Sequence, residues 1–295
     1  MCGAMGFARN EGMVPMKSIV LPSMLGLLFC LHATPALAIP ETWVASNGSG
    51  VACTRAAPCA TFQAAHNATD ARGVLKCADA GSFGSLTINR SITIDCTGTN
   101  GGIVAFGVFI NTAGVDVTLR GLSIDGAGIG GVGVQFNNGN ALHIEDCRIS
   151  GIEGAGVAIE PTGAASVRAV LNRVTVEKNN SHGIIANGLS STGTIIVQVH
   201  DSVVARNSSS GILAITSAGQ AFTALVVDRS SSLLNGGDGI KAQGAAAVIH
   251  IGNSTVIGNA GGLIVTGGGQ ILSYQNNQAS GNGVDGAPTG VLTVK

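Results

Sequence analysis

The chain repeats itself, and few folds accommodate such a repeat. Anchored on Leu122, Cys147, Val174, Ser202, Ser230, Ser254 and Asn277, successive steps are 25, 27, 28, 28, 24 and 23 residues. Three places before each anchor stand Leu119, Ile144, Leu171, Val199, Val227, Ile251 and Tyr274. Five places before stand Val117, Leu142, Ala169, Val197, Leu225, Ile249 and Leu272. Apolar residues also recur two places after the anchor, from Ile124 and Ile149 through Val256 to Ala279, with Ser232 the polar member. Alternation with a period of two predicts strands with one face inward, and a period of this length predicts stacked units.

Five places after the anchor comes a column of Asn179, Asn207, Asn235, Asn259 and Asn282. Nine places after it the sequence gives Gly131, Gly156, Gly183, Gly211, Gly239 and Gly286, with Gly262 displaced by one. A second apolar pair follows, such as Val132 and Val134, Ile184 and Ala186, or Ile212 and Ala214. Each repeat therefore supplies three short strands, one coil of a parallel β-solenoid. A single coil cannot bury enough apolar surface to fold, whereas stacking at about 4.8 Å pairs every strand with its neighbours. Asn suits the turn because its amide can bond the Asn above and below, and the Gly is expected to give the next bend conformational freedom.

Strings such as His200-Asp201-Ser202-Val203-Val204-Ala205-Arg206-Asn207 and Gly252-Asn253-Ser254-Thr255-Val256-Ile257-Gly258-Asn259 resemble the right-handed parallel β-helix superfamily, the pectate-lyase-like solenoids. Within it, the chain is most similar to bacterial exported β-helix repeat proteins of unassigned activity. The resemblance implies an all-β, single-stranded right-handed parallel β-helix with three-strand coils, about nine to ten of them, in keeping with right-handed parallel crossovers. A short N-terminal capping helix is expected from Thr61 as N-cap to Ala71, with Gly73 just past its end. The superfamily carries lyases, hydrolases, esterases, epimerases and adhesins, so the architecture does not select a chemistry.

The first segment is an address. Lys17 precedes an apolar run, Ile19 to Leu31, followed by Ala36-Leu37-Ala38, a small-x-small cleavage site. Residues 1–38 are therefore expected to be a signal peptide with a mis-set start, Met13 or Met16 being better starts than Met1. Residues 39–73 are then the N-terminal segment with the capping helix, and residues 74–295 the β-helix domain. No membrane span is expected after cleavage, and a translocator barrel is not expected before the end at Val294-Lys295. Export, to the periplasm or beyond, permits disulfides, here Cys53 with Cys59 and Cys77 with Cys96. Cys147, in the inward column, is left as a buried thiol.

The formal net charge is -1, with 15 Lys plus Arg against 16 Asp plus Glu, which argues against a nucleic-acid partner. The charges that exist are stacked. One place before the anchors the column reads Asp146, Arg173, Asp201, Arg229, and two places before it reads Arg120, Glu145, Asn172, His200, Asp228. Alternating signs are what structural pairing predicts, since like charges in adjacent coils repel. The one candidate catalytic cluster is His143, Glu145, Asp146 and Arg148 in one coil, with Arg120 and Arg173 in the coils on either side. The resemblance implies how it would work: on a uronate polymer Arg120 or Arg173 would neutralise the carboxylate, and Glu145 or His143 would take the adjacent proton.

The enzyme signatures of the superfamily are missing. The Asn-Thr-Asp, paired Asp, Gly-His-Gly and Arg-x-Lys strings of polygalacturonases find only Ser181-His182-Gly183, a turn in which His182 is expected to be solvated. The strings of pectate lyases and their calcium-binding acid cluster are likewise not found. No metal and no cofactor is expected. The first reading is thus an exported β-helix repeat protein presenting a long interaction surface for polysaccharide, without a catalytic signature. The second is a polysaccharide lyase or hydrolase, pectate-lyase-like or glycoside-hydrolase-like, around Glu145. The third is an adhesin-like rod. The outward column Ala158, Ile185, Leu213, Lys241 and Ile264 is expected to form an apolar stripe, covered by residues 39–52 or by a second copy of the chain in a homo-oligomer.

Overall fold

The computed structural model describes residues 40–293, so the expected signal peptide lies outside the described residues. Three parallel sheets of eleven, nine and nine strands run the length of a right-handed β-helix, and nine coils carry all three strands. One coil is built from Thr194–His200, Val203–Ala205 and Ile212–Ile215. The next stacks on it with Val199 opposite Val227, Val204 opposite Ser232 and Ile212 opposite Ile240. The inward columns Val117, Leu142, Ala169, Val197, Leu225, Ile249 and Leu119, Ile144, Leu171, Val199, Val227, Ile251 are all buried.

The turn after the second strand carries the Asn ladder. Each amide nitrogen donates to the carbonyl oxygen of the next Asn, Asn179 to Asn207 at 2.8 Å, and Asn207 to Asn235, Asn235 to Asn259 and Asn259 to Asn282 at 2.9 Å each. The same oxygens also accept the backbone N–H of the preceding Asn, at 2.9 to 3.2 Å. At the start, Asn179 Oδ1 accepts the Ile152 N–H. At the end, Asp285 Oδ1 takes the place of a further amide oxygen, accepting both the N–H and the Nδ2 of Asn282 at 2.9 Å. A second ladder runs through the anchors themselves: Ser202, Ser230 and Ser254 hydroxyls accept the N–H of Val174, Ser202 and Ser230. Cys147 Sγ holds the equivalent place, accepting the Leu122 N–H at 3.4 Å. Burial pushes its thiol up to about 12, so it is an inert member of this column.

Three expectations are corrected. The glycines before the third strand form the column Gly133, Gly156, Gly183, Gly211, Gly239 and Gly262, because Val134 pairs with Val157 and Leu263 with Gly286. Neither Gly131 nor Gly286 belongs to it. Nor is backbone freedom the reason for Gly: at Gly183 and Gly211 the φ is not left-handed, and a Cβ would stand 2.8 Å from Asn207 Nδ2 and 2.7 Å from Asn235 Nδ2. The glycines make room for the Asn ladder. In the last coil, the inward pair is Ile271 and Ser273, not Leu272 and Tyr274, since Ile249 and Ile251 pair with them. One extra residue in the following turn, where Gln275 has φ 64°, restores the register before Asn277. Tyr274 is thereby displaced from the core and is 36% exposed.

The N-terminal end is closed by the chain itself. The helix spans Phe62–Ala68, shorter than expected because Thr69 turns extended and its hydroxyl and N–H both donate to the Ala65 carbonyl. Thr61 Oγ1 accepts the Ala64 N–H as N-cap, and Phe62 packs edge-on against Phe83 at 5.1 Å. Glu41–Val44 adds an eleventh strand to the first sheet by pairing with Gly73–Cys77. Residues 40–52 therefore extend a sheet edge rather than cover the outward stripe on the third sheet. That stripe is not bare: Ala158 and Leu213 are buried, and Ile185, Lys241 and Ile264 half-buried. Disulfides join Cys53 to Cys59 and Cys77 to Cys96, leaving Cys147 free and buried.

Asn207 tests the ladder. Replacement by Ala leaves Asn179 and Asn235 each short of a buried partner, an expected loss of about 1 to 3 kcal/mol. Asn207→Asp should cost more, since its carboxylate would face the Asn235 Oδ1 that now accepts a proton. Chemical denaturation of the two variants checks both the size and the order.

Candidate functional site

The charged columns sit where the first sheet turns into the second. Asp95, Arg120, Glu145, Asn172, His200 and Asp228 lie opposite one another in successive strands. The next residue in each turn adopts a left-handed conformation, Asp146 and Arg173 at φ 53°, Asp201 at 49° and Arg229 at 46°. That conformation ends the strand and aims the side chain along the stack.

The structure brings Arg120, Glu145, Asp146 and Arg173 into one network. Arg173 donates to Asp146 at 2.6 and 2.9 Å and to Glu145 at 2.6 Å, while Arg120 donates to the other Glu145 oxygen at 3.0 Å. The pattern recurs two coils on, where Arg229 binds Asp201 at 2.8 and 2.9 Å and also pairs with Asp228. Arg173 first, then Arg120, holds the Glu145 carboxyl below the usual carboxylate range, and Arg173 does the same to Asp146. Both Glu145 oxygens are occupied, and a carboxylate so stabilised is a weak base and is not protonated near neutral pH.

The other candidates fall outside the network. His143 is exposed on the same strand, opposite Thr118 and Val170. Arg148 turns to Glu177 at 2.5 Å, which Arg206 approaches at 3.7 Å. A shallow groove of about 380 Å³ separates Arg148 from Arg173, with Asp146 on its rim. His182 is corrected: it is half-buried, and its Nδ1 accepts the Ser210 N–H at 3.2 Å. Among the described residues, no three His, Cys, Asp or Glu side chains are placed to hold a metal ion, and no helix is long and apolar enough to cross a membrane.

A cleft not legible from the repeat lies farther along the same column. It measures about 510 Å³ and is lined by His200, Asp228, Gly252, Asn253, Tyr274 and Asn276, with Val226 on its apolar side. Gly252 follows Asp228 in register and contributes no side chain to the column. A Cβ there would reach within 3.1 Å of Tyr274 Cδ2 and 3.4 Å of Asp228 Oδ1. Asn253 Nδ2 donates to Asp228 Oδ1, and Asn276 Nδ2 to Asn253 Oδ1, both at 2.8 Å. His200 Nδ1 has no hydrogen-bond partner and stands 4.0 Å from Asp228 Oδ2. The available sequence signal was the doubled Asn276-Asn277, which marks a longer turn and hence a displaced Tyr274.

These three sheets, ladders and turns define a right-handed parallel β-helix. The family described as right handed beta helix region matches residues 106–284, and the chain belongs to it. Among solved structures it is similar to that of pectate lyase Pel9A, with a TM-score of 0.58 and 15% identity over 87% of this chain and 76% of that one. At that identity the likeness is one of fold. No curated protein matches the chain.

Two tests follow from the electrostatics. Arg173→Asp stacks like charges in consecutive coils and should lower the melting temperature by a few degrees at low salt, with the deficit shrinking as salt screens it; equal melting at low salt would contradict the pairing. Across pH, the neutral forms of His66 and His182 are favoured in the fold because burial lowers both pKa values. The unfolded chain binds those protons more readily, so stability is full above about pH 6.5 and declines as pH falls below it. A second decline should begin near about pH 4, where Glu145, Asp146, Asp201 and Asp285 lose their depressed carboxylates. Thermal melts from neutral to acid pH check the two steps, and His182→Gln should make the first one shallower.

Proposed function

We propose that this chain is an exported polysaccharide-binding β-helix that holds a glycan on its outer face without cleaving it. The observation that carries the reading is the contrast within one column. Around Glu145 the carboxylates and guanidiniums satisfy one another, whereas around Gly252 the same column opens into a cleft with an aromatic wall, two side-chain amides and the Asp228 carboxylate. Apolar surface combined with a few convergent polar groups is the usual make-up of a small-ligand site. The fold likeness to a pectate lyase supports a carbohydrate ligand, and the leader-like residues 1–38 with two disulfides support an oxidising compartment.

The test is to assay the purified protein against a panel of uronate and neutral glycans, following binding and release of unsaturated products together. Binding without turnover is expected. Unsaturated products would move the assignment to a lyase, and neither binding nor turnover would leave an adhesin-like rod.

A further inference from the structure

The cleft at Gly252 also carries information about which glycan it takes, and the inference rests on the binding reading above. We infer that it selects a neutral glycan and rejects polyuronate. Its polar groups are the amides of Asn253 and Asn276, the hydroxyls of Tyr274 and Thr293, the His200 imidazole and the Asp228 carboxylate. Among the described residues, no Lys or Arg lines it. The nearest guanidinium, that of Arg229, is committed to Asp201 and Asp228. A uronate carboxylate entering the gap would meet Asp228, and among the described residues no uncommitted guanidinium or ammonium lines the cleft to receive it.

A neutral sugar finds matching groups. Asp228 Oδ1 already accepts one bond from Asn253 but keeps lone pairs for a sugar hydroxyl, since a carboxylate accepts at about four sites. Asn253 and Asn276 are held by each other in a fixed orientation, Asn276 Oδ1 accepting the Asn253 N–H at 2.9 Å while its Nδ2 donates to Asn253 Oδ1. Those bonds hold both side chains in place before any ligand arrives, which lowers the ordering cost of binding. Val226 and the Tyr274 ring supply the apolar face on which the C–H side of a pyranose rests. Gly252 is what makes the gap: it sits in an ordinary strand conformation, so its missing side chain serves the space above it.

The experiment is calorimetric titration of the purified protein with mixed-linkage β-glucan, xylan and polygalacturonate at low and high salt. A neutral polymer should bind with little salt dependence, and polygalacturonate should bind at least about tenfold more weakly. Tyr274→Ala, which removes the wall, should weaken binding about tenfold or more with the melting temperature preserved, and Gly252→Thr, whose side chain would crowd the Tyr274 ring, should weaken it by a similar factor. His143→Ala, on the same sheet but four coils from Gly252, should change nothing. Preference for polygalacturonate would overturn the inference while leaving polysaccharide binding intact. Neutral binding indifferent to both Tyr274→Ala and Gly252→Thr would overturn the placement of the site. Failure to bind any of the three polymers would overturn the binding reading itself.

Discussion

The structure depends on hydrogen bonds that run along the stack. A buried Asn amide in one coil donates to the next coil and accepts from the one before, and an unpaired buried amide costs more than a made bond contributes. No coil is therefore complete by itself, and the unit of stability is the neighbour contact. The same rule accounts for the glycines before each third strand. They are required by the coil they face, because a Cβ at Gly211 or Gly239 would stand 2.3 or 2.5 Å from the inward Ser232 or Val256 side chain and 2.7 Å from the amide nitrogen of Asn235 or Asn259. It also accounts for Asp285, whose carboxylate oxygen takes up the last two donors where the Asn column stops.

On the outside the same vertical logic acts through charge. The sign alternation of Asp146, Arg173, Asp201 and Arg229 places each guanidinium beside carboxylates of its own or a neighbouring coil. Individually such exposed pairs contribute little. Their consequence is for chemistry, because a carboxylate bound at both oxygens is unavailable as a base. A regular solenoid thus tends to consume its own reactive groups: wherever the repeat holds, each side chain has a neighbour 4.8 Å away, on the order of a strand spacing, to pair with.

How much of this was legible in the sequence varies by element. The period, the Asn column and the inward strands show in the sequence because a buried column demands the same residue type in every coil. Register was lost where a coil changes length without changing its composition. In Gly130-Gly131-Val132-Gly133, several glycines compete for one structural position, and only pairing with the next coil singles out Gly133. In the last coil the alternation favoured Leu272 and Tyr274 over Ile271 and Ser273, because Ser273 is polar. It is tolerated inside because its hydroxyl accepts the Gln275 N–H and the Asn277 Nδ2 donor. The charged cluster near Glu145 was visible as a set of residues, but whether its members pair or stand free is a matter of distances that spacing does not contain.

The misread last coil points to where function can arise on such a fold. The cluster around Glu145 sits where the repeat is regular, and its charges are consumed. The cleft sits where the repeat is broken twice over: Gly252 withdraws a side chain from a column of long polar ones, and the extra residue after Ser273 brings Tyr274 to the surface beside the vacancy. One break makes space and the other lines it. A regular coil does not offer both at one place, since its side chains fill the column. Departures from the period, which weaken the sequence signal for the fold, are therefore also the places where an aromatic ring and side-chain amides come together at the surface.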